Sequence, residues 1–239
     1  MNMPKKWTGY HLAIISAKRA GNVPAMQEKV GPAVWYVPDA DVEGYEKQGA
    51  TSVVGCGLYG NLSASRNAAL EDAFTLNKPC VQSDDDLTKI ERVFSPGHSK
   101  AVGFPAAVRL MLDRLKDTPY KLGSVAPTTN KFFYTKPIST QVFCIASLCV
   151  VLPDDIRFDE TMPLKEDYDF TLQHISRHGG VVRSDDLLAS YKHYRNKGGA
   201  VGYRNDKTEQ AAIAILQRKW GNAIRMNPRR ENEILLKVK

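Results

Sequence analysis

Three consecutive carboxylates, Asp84, Asp85 and Asp86, follow a short apolar segment at 79–82. Adjacent carboxylates repel one another, so folding them together demands solvent or a cation. A hard divalent ion, which prefers oxygen ligands and can hold a diphosphate, is the natural neutraliser. The alternative is a solvated acidic loop, or a cap on a helix beginning at Leu87. A second acidic group, Glu166, Asp167 and Asp169, stands at the mouth of a predicted helix over 167–178. A carboxylate there can take a proton from an acceptor hydroxyl; equally, the group can complement the helix dipole. His193 follows a strand-like segment at 187–191 and precedes Gly198 and Gly199. That position suits a late metal ligand, although a lone histidine more often has a structural role.

The elements that must position these groups alternate along the chain. Segments 11–15, 33–37 and 51–55 read as strands, as does 79–82, which runs into the aspartates. Between them, 26–30 reads as a helical turn, 41–48 as a helix ended by Gly49, and 68–74 as a helix entered through 61–67. This alternation predicts an α/β protein with a parallel sheet, whose ligands bind beyond the carboxyl ends of the strands. Further on, 104–116 reads as an amphipathic helix and 118–130 as a loop rich in Pro, Thr and Asn. The apolar run 142–152 reads as a strand, and 208–220 as a last helix before a basic tail.

Taken in order, these parts resemble the GT-A fold glycosyltransferases, particularly their large inverting group. The resemblance rests on Asp84 to Asp86 at a strand end and on an Arg-Asn helix start, Ser65-Arg66-Asn67-Ala68, upstream. Downstream it rests on Arg157-Phe158-Asp159-Glu160 and Glu166-Asp167. It spans roughly residues 10 to 195. It implies a GT-A, Rossmann-like α/β fold with a mixed, mainly parallel sheet over 1–205, and a short helical, basic extension over 206–239. It implies that Asp86, Asp84 and His193 hold a manganese or magnesium ion, with Asp84 and Asp85 serving the nucleotide side. Arg19, Arg66 and Asn67 would contact the uracil or diphosphate of a UDP-sugar donor. Asp167 would be the catalytic base of an inverting displacement, with Glu166 and Asp169 as rivals for the role.

Within the fold, the chain is similar to the TET/JBP-associated glycosyltransferases of phages and kinetoplastids. The likeness lies in Ser16-Ala17-Lys18-Arg19-Ala20, in His193-Tyr194, and in the glycine-rich 197–202. Those enzymes attach sugar to hydroxymethylated pyrimidines in DNA, which implies a 5-hydroxymethylcytosine or 5-hydroxymethyluracil acceptor. The net charge of +7 suits a polyanionic partner. Late basic residues, including Lys192, Arg195, Lys197, Arg204, Arg225, Arg229 and Arg230, interleave with Tyr194, Tyr203 and Trp220, a pattern that serves phosphate contact and base stacking or simple solubility.

No stretch approaches the roughly 20 apolar residues of a membrane helix, and no apolar leader is visible. The expectation is a cytoplasmic protein without a membrane partner, in the host cytoplasm if of bacteriophage origin. Cys56, Cys80, Cys144 and Cys149 form no CxxC pair and read as reduced core residues. Three other readings stand beside the DNA-modifying one. They are transfer to a protein, lipid or small-glycan hydroxyl, a non-catalytic nucleic-acid-binding protein on the same scaffold, and a nucleotidyltransferase. The last lacks a glycine-rich phosphate loop near the N-terminus.

Overall fold

The computed structural model describes residues 9–192 and 199–238. Strands β1 (His11–Ile15), β2 (Val34–Val37), β3 (Ser52–Gly55) and β4 (Cys80–Asp84) alternate with helices α1 (Val23–Val30), α2 (Val42–Lys47) and α3 (Leu62–Thr75). All four strands are parallel, in the order β3-β2-β1-β4. Such an order reverses its direction of winding between β1 and β4, which opens a crevice at their carboxyl ends. The expected Rossmann-like α/β unit is present.

The sheet continues past β4 through β9 (Leu148–Val151), β7 (Leu122–Ala126), β10 (Val182–Tyr191), β5 (Leu87–Ser95) and β6 (His98–Val102), while β8 (Ile138–Ser139) pairs with β10. Strands β9, β5 and β8 run against the others, so the ten-stranded sheet is mixed with most strands in one direction. Side chains alternate across it. Leu12 and Ile14 of β1 face a core layer with α1 and α4 (Phe104–Lys116), whereas Ala13 and Ile15 face α3 and α5 (Glu166–His178).

The extension is more than helical. Helix α6 (Asp206–Trp220) is followed by a hairpin of β11 (Ile224–Met226) and β12 (Ile234–Leu236). It buries Ile213, Leu216, Ile224 and Ile234 against Met162, Leu164 and Leu172. A capping box between Asn205 and Thr208 starts α6, and Gly179 in the left-handed region ends α5.

Three segments differ from the sequence expectation. Of 142–152, only Leu148–Val151 is strand; Cys144 instead exchanges backbone hydrogen bonds with the Thr171 hydroxyl, so its apolar neighbourhood is buried without a ladder. Within 118–130, Leu122–Ala126 is an entirely buried strand. Gly123 lets α4 pack closely there: a Cβ would lie 2.9 Å from Leu115 Cδ1, so the leucine would have to shift. Finally, the chain after Asp86 enters β5, which rules out the alternative of a helix beginning at Leu87. All four cysteines are free, and three of them are buried. Among the described residues, no helix is long and apolar enough to cross a membrane.

Candidate active site

A cleft of about 380 Å3 opens at the carboxyl ends of β1 and β4. Its floor is the acidic turn. Asp84 closes β4 and receives Arg66 Nη2 at 3.2 Å, while Asp85 and Asp86 form the two-residue turn into β5. The turn is neither a solvated loop nor a helix cap, for Asp86 is only 6% exposed and a strand follows it. Backbone bonds clamp it on both sides, from Asp84 N–H to Ser147 O at 2.9 Å and from Lys192 N–H to Asp86 O at 3.1 Å.

The loop after β1 supplies the partners of this turn. The Ser16 hydroxyl donates to Asp85, and Arg19 Nη1 lies 3.1 Å from Asp85 and 3.5 Å from Asp86. Burial pushes the Asp85 carboxyl up to about 6, against the pull of Ser16 and Arg19. Arg19, expected to meet the nucleotide, is here the counter-ion of the acidic turn.

Arg66 is also committed. It is 3% exposed, and its guanidinium meets Asp84, Gln82, the Ala146 carbonyl and, through Nε at 3.2 Å, Glu166. Burial disfavours its charge, but Asp84 and Glu166 more than compensate and raise its pKa. Rather than reaching for a phosphate, it joins the two acidic motifs beneath the cleft. Its neighbour Asn67 does not line the cleft. The Asn67 amide bonds the Phe158 backbone at 2.8 and 2.9 Å and Glu160 at 2.9 Å, fixing the Arg157–Glu160 segment. Phe158 then stacks on Phe170 of α5 at 3.8 Å.

Helix α5 begins at the cleft, directly after Lys165 in the left-handed region (φ 60°). Glu166 and Asp167 both line the cavity. Burial, and next the Glu166 charge, push the Asp167 carboxyl up to about 7. Asp169 is a correction. Two helical positions rotate a side chain about 200°, so Asp169 faces away. It is fully buried and bonded at 2.7 Å to both Trp220 Nε1 and Lys219. Its work is to hold α6 onto α5. Lys165 reaches the same extension, at Glu209 (2.7 Å) and the Asn232 carbonyl (2.9 Å).

His193 lies outside the described residues. Residues that sequence reasoning did not assign to the site are Ser16, Ser147, Tyr59 and Lys165, together with Tyr203 and Arg204, which had been read as part of the late pattern of basic and aromatic residues. Only the positions of Ser16 and Lys165, next to recognised motifs, carried a signal. Tyr59 and Tyr203 meet edge to face at 5.8 Å. Leu58 and Val201, 85% and 40% exposed, leave an apolar rim at the mouth.

The donor set is chemically right for a hard cation, all carboxylate oxygen. It does not fit one as it stands. Asp85 and Asp86 are taken by Arg19, Asp84 by Arg66, and among the described residues no group of three His, Cys, Asp or Glu side chains is arranged to hold a metal.

No family model matches the chain, and no curated protein matches it. Among solved structures, A197 from STIV is similar in outline, with a TM-score of 0.42 and 10% identity over 97% of this chain and 95% of that one.

Proposed function

We propose that the chain is a glycosyltransferase that moves a sugar from a UDP-sugar to the hydroxymethyl group of a modified pyrimidine in DNA. The observation that carries the transferase reading is Asp167. Its carboxyl is poised near 7 at the start of α5, joined through Glu166 and Arg66 to the acidic turn of β4. In the reaction, Asp167 takes the proton of the acceptor hydroxyl as that oxygen bonds to the anomeric carbon. The bond from this carbon to the diphosphate oxygen breaks, and UDP departs with the electron pair, inverting the centre. The amino ends of α3 and α5 both face the cleft and favour the departing negative charge.

The acceptor reading draws on the rim and the extension. Leu58, Val201 and Tyr203 offer a surface for a planar ring, and exposed Arg204, Lys207, Arg218, Arg225 and Arg229 offer phosphate contacts. A base inside a duplex must leave the stack to reach the cleft. The test incubates the chain with a panel of UDP-sugars, manganese, and DNA containing 5-hydroxymethylcytosine or 5-hydroxymethyluracil, followed by mass spectrometry of the nucleosides. A mass increase of one hexose on the modified base is expected. Donor hydrolysis without transfer to DNA points to another acceptor hydroxyl; neither hydrolysis nor transfer removes the enzyme reading.

A further inference from the structure

At the edge of the sheet away from β3, the turn between β5 and β6 meets the loop that follows β7. A single turn of 3-10 helix in that loop, Lys131–Phe133, presents Phe132 and Phe133, which are 71% and 70% exposed. The rings stand on fixed backbone. The Asn130 side chain accepts from the Phe132 N–H at 3.1 Å, the Gly97 N–H donates to Lys131 O at 3.4 Å, and Lys131 Nζ donates to Ser99 Oγ at 3.3 Å. Phe132 lies against the hairpin turn, where a Cβ on Gly97 would come within 2.9 Å of its ring. Two adjacent exposed phenylalanines on a held turn mark a contact surface rather than scattered apolar exposure.

Phe133 also lines a second cavity, of about 170 Å3, that shares no residue with the cleft at β1 and β4. Pockets for whole small molecules begin at about 300 Å3, so this one suits a single ring of a larger ligand. Arg183 and Asn130 line it beside Tyr134. Asp185 holds Arg183 Nε and the Phe143 carbonyl accepts from Nη1 at 3.1 Å, which fixes the guanidinium and leaves Nη2 without a partner among the described residues. The Asn130 amide nitrogen and the Tyr134 hydroxyl have none among them either. Guanidinium and amide groups read the edges of bases, and an aromatic face stacks on any base. The acidic neighbours are already engaged, Asp185 by Arg183 and Ser139, and Glu91 by Lys89 and Ser99. Lys100 and Lys136 are exposed on the same hairpin and loop, which leaves the surface positive.

We propose that this surface is a second nucleic-acid site, taking one unpaired base of a single strand against Phe133, Arg183 and Asn130, with the adjoining phosphates at Lys131 and Lys136. A base inside a duplex is stacked and paired and does not enter. A lipid surface would use the rings and the lysines but leave the hydrogen-bonding groups of the cavity unmet. The site holds a strand whether or not the cleft at β1 and β4 transfers sugar.

The test titrates the full chain into three labelled, unmodified DNAs and follows fluorescence anisotropy: an oligothymidylate, its duplex with oligoadenylate, and an abasic strand of the same length. The oligothymidylate should bind most tightly. Phe133→Ala should weaken that binding by about 5- to 150-fold, the range for one lost base stack, and Phe133→Trp should keep it. Because no charge is removed, the slope of log affinity against log salt should stay that of the wild type. Affinity for the abasic strand should be the same in wild type and Phe133→Ala. Absence of binding to the oligothymidylate, or an affinity that Phe133→Ala leaves unchanged, overturns the site. An equal loss on the duplex or the abasic strand also overturns it, since no base would then be entering the cavity. If Phe133→Ala loses binding to phosphatidylglycerol vesicles but not to the oligothymidylate, the rings serve a membrane and the nucleic-acid site is refuted. No sugar donor or hydroxymethylated base enters the experiment, so its failure is distinguishable from failure of the transferase assay.

Discussion

Arg66 Nε lies 3.2 Å from Glu166 Oε1 across 100 residues of sequence, and this one bond ties the helix before the acidic turn to the helix that carries Asp167. The same guanidinium holds Asp84. Replacing Arg66 with Met removes the one ion-pair partner that each carboxylate has among the described residues and strands Glu166 in a buried place. Arg66→Met should therefore cost about 3–5 kcal/mol in urea denaturation. Arg66→Lys should recover only part, because a point charge cannot bond Asp84 and Glu166 with separate edges.

Asp167 makes a prediction in which activity and stability move oppositely. As a base it must be ionised, so transfer should rise with pH through about 7 and level off above it. Asp167→Asn should lower the rate by roughly 10^2–10^4 and flatten that limb. For stability, the folded carboxyl holds its proton up to about 7 while the unfolded one releases it near 4, so the folded state binds more protons between those values. The wild type therefore loses stability at this site as pH rises through that window. Asp167→Asn removes the penalty and should melt higher than wild type at pH 8, with the difference vanishing near pH 4. A variant less stable than wild type at pH 8 would contradict the assigned shift.

Asp169 separates scaffold from chemistry within one motif. Asp169→Ala leaves the Trp220 indole N–H without its acceptor and Lys219 with Asp159 alone. A buried donor without a partner costs about 1–3 kcal/mol. Thermal melting should fall accordingly, and limited proteolysis should release the 206–239 extension sooner. The pH limb of transfer should stay where Asp167 puts it.

The legible parts of this molecule were those written by period and local chemistry. The β1–β4 half could be read because short apolar strands alternate with helices, and the carboxylates stand at the end of one strand. Beyond Asp86 the pattern misleads. Leu87, Ile90 and Val93 are buried at every third position, which reads as a helix, yet the segment is β5. Ser190 pairs with Lys89 and Tyr191 with Leu87, so Thr88 bulges and brings Leu87 and Ile90 to one face. Val93 is buried on the other face, with Ala126 and Leu188. Of the residues singled out from the sequence, Arg19, Arg66, Asp84, Asp85, Asp86, Glu166 and Asp167 line one cleft, Asn67 and Asp169 do not, and the partners of Arg19 and Arg66 were not foreseen. Both looked like phosphate ligands because a guanidinium suits phosphate and carboxylate equally, and only the fold shows which anion is within reach.

His174 should make the protein acid-sensitive. It is fully buried on α5, neither ring nitrogen has a hydrogen-bond partner among the described residues, and burial lowers its pKa to about 3. The unfolded chain takes up a proton near 6.5, whereas the folded one resists it, so stability falls as pH drops from about 6.5 toward 3. His174→Leu removes the unpaired nitrogens and the titration together. Its advantage in melting temperature over wild type should grow steadily from pH 7 to pH 4. An advantage independent of pH would mean that packing, and not the proton, sets the difference.

The extension links stability to the proposed acceptor. Its helix braces α5 through Asp169 and Lys165, while Arg225 and Arg229 of the hairpin region remain exposed. Phosphate contacts release counter-ions, so each lost contact lowers the slope of log affinity against log salt by about 0.9 for duplex DNA. Arg225→Gln with Arg229→Gln should therefore weaken DNA binding at low salt and reduce that slope by up to about 2. Fluorescence anisotropy across a salt series measures both quantities. An unchanged slope would place the DNA, if it binds, on another face, and the rim at Leu58 and Val201 would then need a different acceptor.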